Sequence, residues 1–75
     1  MDKLALLRFL NARTQVDGFE LAQAFGESYP SAAMALLRAS RQGLVERFQD
    51  AHTRVYWYRL SARGHARLVY LQEHD

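Results

Sequence analysis

The hydrophobic pattern divides the chain into three helical stretches, a segment of alternating character and a final helix. From Asp2 to Ala12 the apolar residues recur at helical spacing, with Leu6, Leu7 and Leu10 clustered on one side. Leu4 and Phe9 flank that cluster widely, and Asp2 is placed to cap the segment. The arc is broader than one face of a thin core can absorb. The helix is therefore either wedged between other helices or partly turned toward a second subunit. Residues 11–16 read as a polar connection, with room for a short strand at Thr14-Gln15-Val16. In Asp17-Gly18-Phe19-Glu20 a cap residue precedes Glu by three positions, the pattern of a capping box. Leu21, Ala24 and Phe25 continue at helical spacing, and Gly26 suits a left-handed helix end.

Pro30 fits the first turn of a third helix that runs to Gln42 and stops at Gly43. Projected around its axis, Ala32, Ala33, Leu36, Leu37, Ala39 and Ser40 fall on an inner side. Ser31, Met34, Ala35, Arg38, Arg41 and Gln42 fall on an outer one. The inner side is mostly small, which allows close approach to neighbouring elements. The outer side carries two arginines and no acid.

Past Gly43 the period changes from helical to alternating. Residues 44–48 predict a strand with Leu44 and Phe48 on one side, and residues 49–53 a polar turn. Residues 54–60 predict a second strand. Tyr56, Tyr58 and Leu60 point one way, toward the core, while Val55, Trp57 and Arg59 point the other. Trp57 has three open readings: packing on the first helix or its loop, a subunit contact, or stacking on nucleic acid. Ser61 caps a last helix to about Glu73. Gly64, Leu68 and Leu71 line one face of it, and Ala62, Ala66 and Val69 form a second strip.

Composition narrows the class. At 75 residues the chain forms one domain, residues 1–75, with a single thin core. It is 49% hydrophobic and 24% charged, which speaks against disorder. The absence of cysteine removes disulfides and thiolate metal sites. The longest apolar run, residues 32–37, is far short of the about 20 residues that cross a bilayer. No membrane association is expected, and the cytoplasm is the expected compartment. Residues 1–37 hold Lys3, Arg8 and Arg13 against four acids, whereas residues 38–75 hold seven arginines against four. Arginine's planar fork suits phosphate and guanine edges. A genome rich in G and C would also favour its codons.

The order helix, helix, turn, helix, hairpin, helix resembles a winged helix-turn-helix. The fold class is α+β: a three-helix bundle, a two-stranded β-hairpin wing and a C-terminal helix. The most specific parts are Leu36, Ala39 and Gly43-Leu44-Val45, then Tyr58-Arg59-Leu60-Ser61 with Gly64. The second of these looks like the wing-to-helix junction of PadR-like and MarR-like transcriptional regulators. Asp17 to Leu21 is similar to the start of the second helix in PadR-like proteins. Asp50 and Arg54 resemble the acidic and basic pair of the MarR-type wing, at longer spacing. The tyrosine usual in the PadR-like recognition helix is absent, with Ala33 near its place.

The resemblance implies sequence-specific binding of double-stranded DNA by a small prokaryotic or viral transcriptional regulator. The third helix would enter the major groove, with Arg38 on a guanine edge and Met34 and Ala35 on a thymine methyl. Ser31 would meet a phosphate near the helix N-terminus. Arg41 and Gln42 complete that face, and His52, Thr53 and Arg54 at the wing tip would reach the backbone or the minor groove. The competing function is a winged helix used only for protein–protein contact, for which Met34, Ala35 and Trp57 would serve.

An enzyme is not expected. His52, His65 and His74 lack metal-site spacing, no Gly-rich phosphate loop occurs, and Asp17 and Glu20 are explained as a cap. Neither a cofactor nor a small-molecule effector is expected. Surplus apolar surface on the terminal helices predicts a homodimer through Leu4, Phe9, Ala66, Val69 and Tyr70.

Overall fold

Side-chain caps set where the helices begin. In the computed structural model, which describes residues 1–74, α1 spans Lys3–Asn11, α2 Gly18–Phe25, α3 Tyr29–Arg41 and α4 Ala62–Glu73. The Asp2 carboxylate accepts from the Ala5 amide at 2.8 Å. Asp17 accepts from the Glu20 amide at 2.8 Å, and the Glu20 carboxylate returns to the Asp17 amide, which closes the capping box. Ser61 accepts from the Gly64 amide at 2.9 Å. The sequence reading began the third helix at Pro30 without a cap. The helix in fact starts at Tyr29, where Ser28 Oγ accepts from the Ser31 amide at 3.2 Å. Each such cap contributes about 1 kcal/mol.

The hairpin consists of β1, Val45–Gln49, and β2, Tyr56–Leu60, paired antiparallel with Arg47 opposite Tyr58 and Phe48 opposite Trp57. The anticipated strand at residues 14–16 reduces to one bridge, in which Val16 and Tyr58 exchange both backbone bonds at 2.8 and 2.9 Å. That bridge ties the α1–α2 connection to the wing. Both strands begin later than expected, and the connecting loop is wider, running over residues 50–55.

The core gathers Leu6, Leu7 and Leu10 of α1, Leu21 of α2, and Ala32, Leu36 and Ala39 of α3. Val16, Leu44, Val45, Tyr58 and Leu68 join them, and no polar side chain is buried among the described residues. α1 packs against α4 and β2, so most of its broad apolar arc is covered within the chain. Leu4 is partly buried, and Phe9 meets Phe25 of α2 edge-on at 5.4 Å.

Three side chains, Tyr56, Ala33 and Leu37, differ from the alternation and projection arguments. Strand alternation put Tyr56 and Tyr58 together in the core, yet Tyr58 is 6% exposed and Tyr56 41%. They share a face, but the hairpin overhangs the body, and Tyr56 lies beyond the edge of the core. Likewise Ala33 and Leu37 are only half-buried, because the inner face of α3 is narrower than its projection and those two border the wing. Trp57 sits on the outer face of the hairpin beside Phe48, half-buried and turned away from the face that carries Tyr58.

The start of α4 is locked to the end of α3. Ser61 Oγ donates to the Gly43 carbonyl at 2.6 Å, and the Ser61 amide donates to the Leu44 carbonyl at 3.0 Å. Gly64 packs so tightly here that a Cβ would collide with the Leu44 carbonyl oxygen and lie 2.8 Å from Leu60 Cδ1. Backbone atoms cannot retreat as a flexible side chain can.

Gly64→Ala should therefore destabilise the fold by about 2 kcal/mol or more, although alanine is the better helix former. Gly26→Ala meets no neighbour and pays only for its left-handed backbone, φ 63°, at about 1 kcal/mol. Urea titration of both variants should give that order; the reverse would mean that α4 does not approach the Leu44 carbonyl this closely.

Candidate nucleic-acid interface

α3 offers an exposed surface without a carboxylate. Ser31, Met34, Arg38, Arg41 and Gln42 are exposed and Ala35 is half-buried. Met34 faces the wing. Ala35, Arg38 and Gln42 line a separate hollow of about 260 Å³ on the opposite flank, beside Lys3 and Leu6 of α1. Arg38 Nε donates to the Met34 carbonyl at 3.3 Å, which steers the guanidinium along the helix surface. Ser31 is engaged within the chain: its hydroxyl donates to Glu27 Oε1 at 3.3 Å and its amide to Ser28.

The wing tip is built around Asp50. Its carboxylate accepts from the His52 amide at 2.8 Å and the Thr53 amide at 2.9 Å, while the Asp50 amide donates to the Val55 carbonyl. Gln49 Nε2 donates to the Arg54 carbonyl at 2.9 Å, and Thr53 Oγ1 accepts from the Val55 amide. Arg54 has φ 63°, a backbone conformation uncommon for any residue but glycine. Asp50 thus pairs with backbone amides; Arg54 has no carboxylate within 4 Å among the described residues. His52, Thr53 and Arg54 are all exposed on this ordered tip.

Between α3 and the wing runs a cleft of about 520 Å³. Pro30, Ala33, Met34 and Leu37 form its helical wall, and Arg47, Arg54, Val55 and Tyr56 its wing wall. Phe19 and Tyr29 stack at its mouth, centroids 4.3 Å apart, and remain 63% and 47% exposed. Arg47 and Tyr56 were missing from the sequence-level site. The signal was present, since Arg47 alternates with Val45 and so shares the face of Tyr58, but nothing local shows that this face extends past the core.

The residues proposed for a dimer lie on α1 and α4. Ala66 and Tyr70 line a groove with Lys3, Gln42 and Arg63, Val69 and Tyr70 are exposed, and Phe9 is occupied by Phe25 with Arg13 laid over it. No group of three or more potential metal ligands occurs among the described residues, and no helix there is long and apolar enough to cross a membrane.

The amides of Thr53 and then His52 hold the Asp50 carboxyl below the usual carboxylate range. Its grip on the loop is complete above that range and is lost as pH falls through the lowered pKa. An NMR pH titration should show the His52 and Thr53 amide shifts following a carboxyl that titrates below an ordinary aspartate. In Asp50→Ala both amides should exchange faster and the acid transition should vanish. Unchanged exchange would mean the loop does not depend on this carboxylate.

No protein-family model matches the sequence, and no curated protein matches it. Solved structures do match in fold. MarR superposes with a TM-score of 0.85 at 25% identity, over 95% of this chain and 49% of that one. A MepR-like protein complexed with pseudoligands gives 0.82 at 25% identity, over 88% and 47%. The transcriptional regulator BldR from Sulfolobus solfataricus gives 0.82 at 18% identity, over 95% and 51%. The chain spans about half the length of these proteins. Of these, BldR is a transcriptional regulator. Four helices and a hairpin in this arrangement give the chain the winged-helix fold of MarR-type transcriptional regulators.

Proposed function

We propose that the domain binds double-stranded DNA sequence-specifically as a non-catalytic reading head of a cytoplasmic transcriptional regulator. The observation that carries this reading is the outer surface of α3, which exposes Arg38 and Arg41 and holds no acid. α3 enters the major groove, where Arg38 addresses a guanine edge and Met34 and Ala35 a thymine methyl. Ser31 contacts a phosphate after releasing Glu27. Arg41 and Gln42 lie farther along the groove, and His52, Thr53 and Arg54 of the wing meet the backbone or the adjacent minor groove. The acid-free surface disfavours a purely protein-binding winged helix.

A selection from a random duplex pool with the purified protein tests this directly. Arg38→Ala should weaken the selected site by roughly 1–3 kcal/mol and relax the preference at one base pair. Equal affinity of this variant for the selected site would remove α3 from the recognition role. Failure to enrich any duplex, with retention on a protein partner instead, would favour the protein-binding alternative.

We further propose that the reading head works as a homodimer. One small domain makes few base contacts, whereas two related by a two-fold axis read half-sites about one helical turn apart. Exposed Val69 and Tyr70, with Ala66 and the partly buried Leu4, supply the apolar surface. Phe9 contributes through its rim only, because Phe25 covers its edge. Sedimentation equilibrium at micromolar concentration should give a mass well above 8.7 kDa, and the selected DNA should be palindromic. A mass of 8.7 kDa at every concentration would overturn the dimer.

A further inference from the structure

The cleft between α3 and the wing has a charge pattern unlike the rest of the hairpin. On the outer face Arg59 Nε lies 2.9 Å from Glu46 Oε1, an ion pair that cancels its charge. On the cleft face Arg47 has no such partner among the described residues. Its guanidinium carbon lies over the Tyr56 ring, 3.6 Å from the centroid. Arg54 lines the same cleft, and none of the lining residues is acidic.

Arg47 and Tyr56 are placed together by the strand register. Arg47 stands opposite Tyr58, and Tyr56 lies two residues back on the same face, the diagonal distance that long side chains bridge. Tyr58 is anchored in the core by Val16 on one side and by β1 on the other. The pair therefore stands on the rigid part of the hairpin, inside the tip. A cation–π contact keeps the guanidinium in place while its N–H groups at the edge stay free to donate. A carboxylate partner would have both neutralised the charge and occupied those donors.

We infer that the cleft seats one sugar–phosphate strand of the duplex, with Arg47 as its phosphate contact and Tyr56 as the positioning residue that holds Arg47 ready. This deepens the duplex-binding reading and rests on it. The occupant is a polyanion because the cleft offers two guanidinium groups and no carboxylate. It is elongated because the cleft runs between helix and hairpin, flanked by the exposed Phe19–Tyr29 stack. A contact at this position carries no base information and acts on every sequence.

The test is fluorescence anisotropy with a labelled mixed-sequence duplex at several salt concentrations, each variant first checked by circular dichroism and thermal melting. Arg47→Ala should lower affinity and reduce the slope of log K against log salt by about one counterion. Tyr56→Ala should weaken binding roughly two- to fivefold, the equilibrium equivalent of an exposed cation–π contact, and Tyr56→Phe should restore it. Tyr56→Ala added to Arg47→Ala should cost nothing more, because the positioned group is already gone. Arg59→Ala, on the outer face, should keep the parent slope. A parent that binds duplex while Arg47→Ala retains its slope overturns the cleft assignment alone. A parent that binds no duplex overturns the duplex-binding reading and the cleft with it. An equal loss from Tyr56→Ala in the presence and absence of Arg47 overturns the positioning role.

Discussion

The geometry of the whole domain turns on the few backbone atoms shared by Gly43, Leu44, Ser61 and Gly64. Two hydrogen bonds donated by Ser61 and one missing Cβ bring the segment after α3, the approach to β1, the end of β2 and the start of α4 to a single point. The angle between helix and hairpin is therefore not left to side-chain packing alone. Hydrogen bonds of 2.6 to 3.0 Å fix it in a region where the polar backbone is partly withdrawn from water. An unmade bond there would leave a partly buried carbonyl unsatisfied, which costs more than the bond itself contributes. This is how a chain without disulfides or a large core can hold two projecting elements in a defined relation.

Much of that architecture can be read in the sequence because it is specified locally. The capping box at Asp17 and Glu20, the left-handed end at Gly26, the cap at Ser61 and the switch from helical to alternating period are each set within a few residues. What escapes such reading depends on distant neighbours. Projection of α3 assigns Ala33 and Leu37 to the inside, since it cannot know that the wing stands off from that edge. Alternation places Tyr56 and Tyr58 on the same face correctly, but it has no means to say where the core ends beneath them. Phe9 reads as spare surface until Phe25, sixteen positions away, is seen against it. The exposed, acid-free face of α3 was legible because it is a property of one element. Arg47 was not, because its surroundings come from two strands and a helix.

The two faces of the hairpin are electrostatically unlike. One joins Glu46 to Arg59 and sets Phe48 beside Trp57, a surface with little field of its own. The other turns Arg47 and Arg54 toward the cleft beside α3, neither with an ion-pair partner among the described residues. Low-dielectric walls and like charges lining a concavity raise the local potential above that of the same charges spread on a convex surface. A modest net charge of +2 can thus coexist with a local concentration of positive charge in one cleft. The total charge says little about binding; its partition between two sides of one hairpin says more.

Arg54 adds an evolutionary consequence. Its left-handed backbone holds a side chain where glycine would rest without strain, at a cost of about 1 kcal/mol. Every arginine codon is a single base change from a glycine codon, so a more relaxed turn lies within one mutational step. That step would remove a positive charge from the end of the wing. Stability and charge pull this position in opposite directions, and the chain stands on the side of charge.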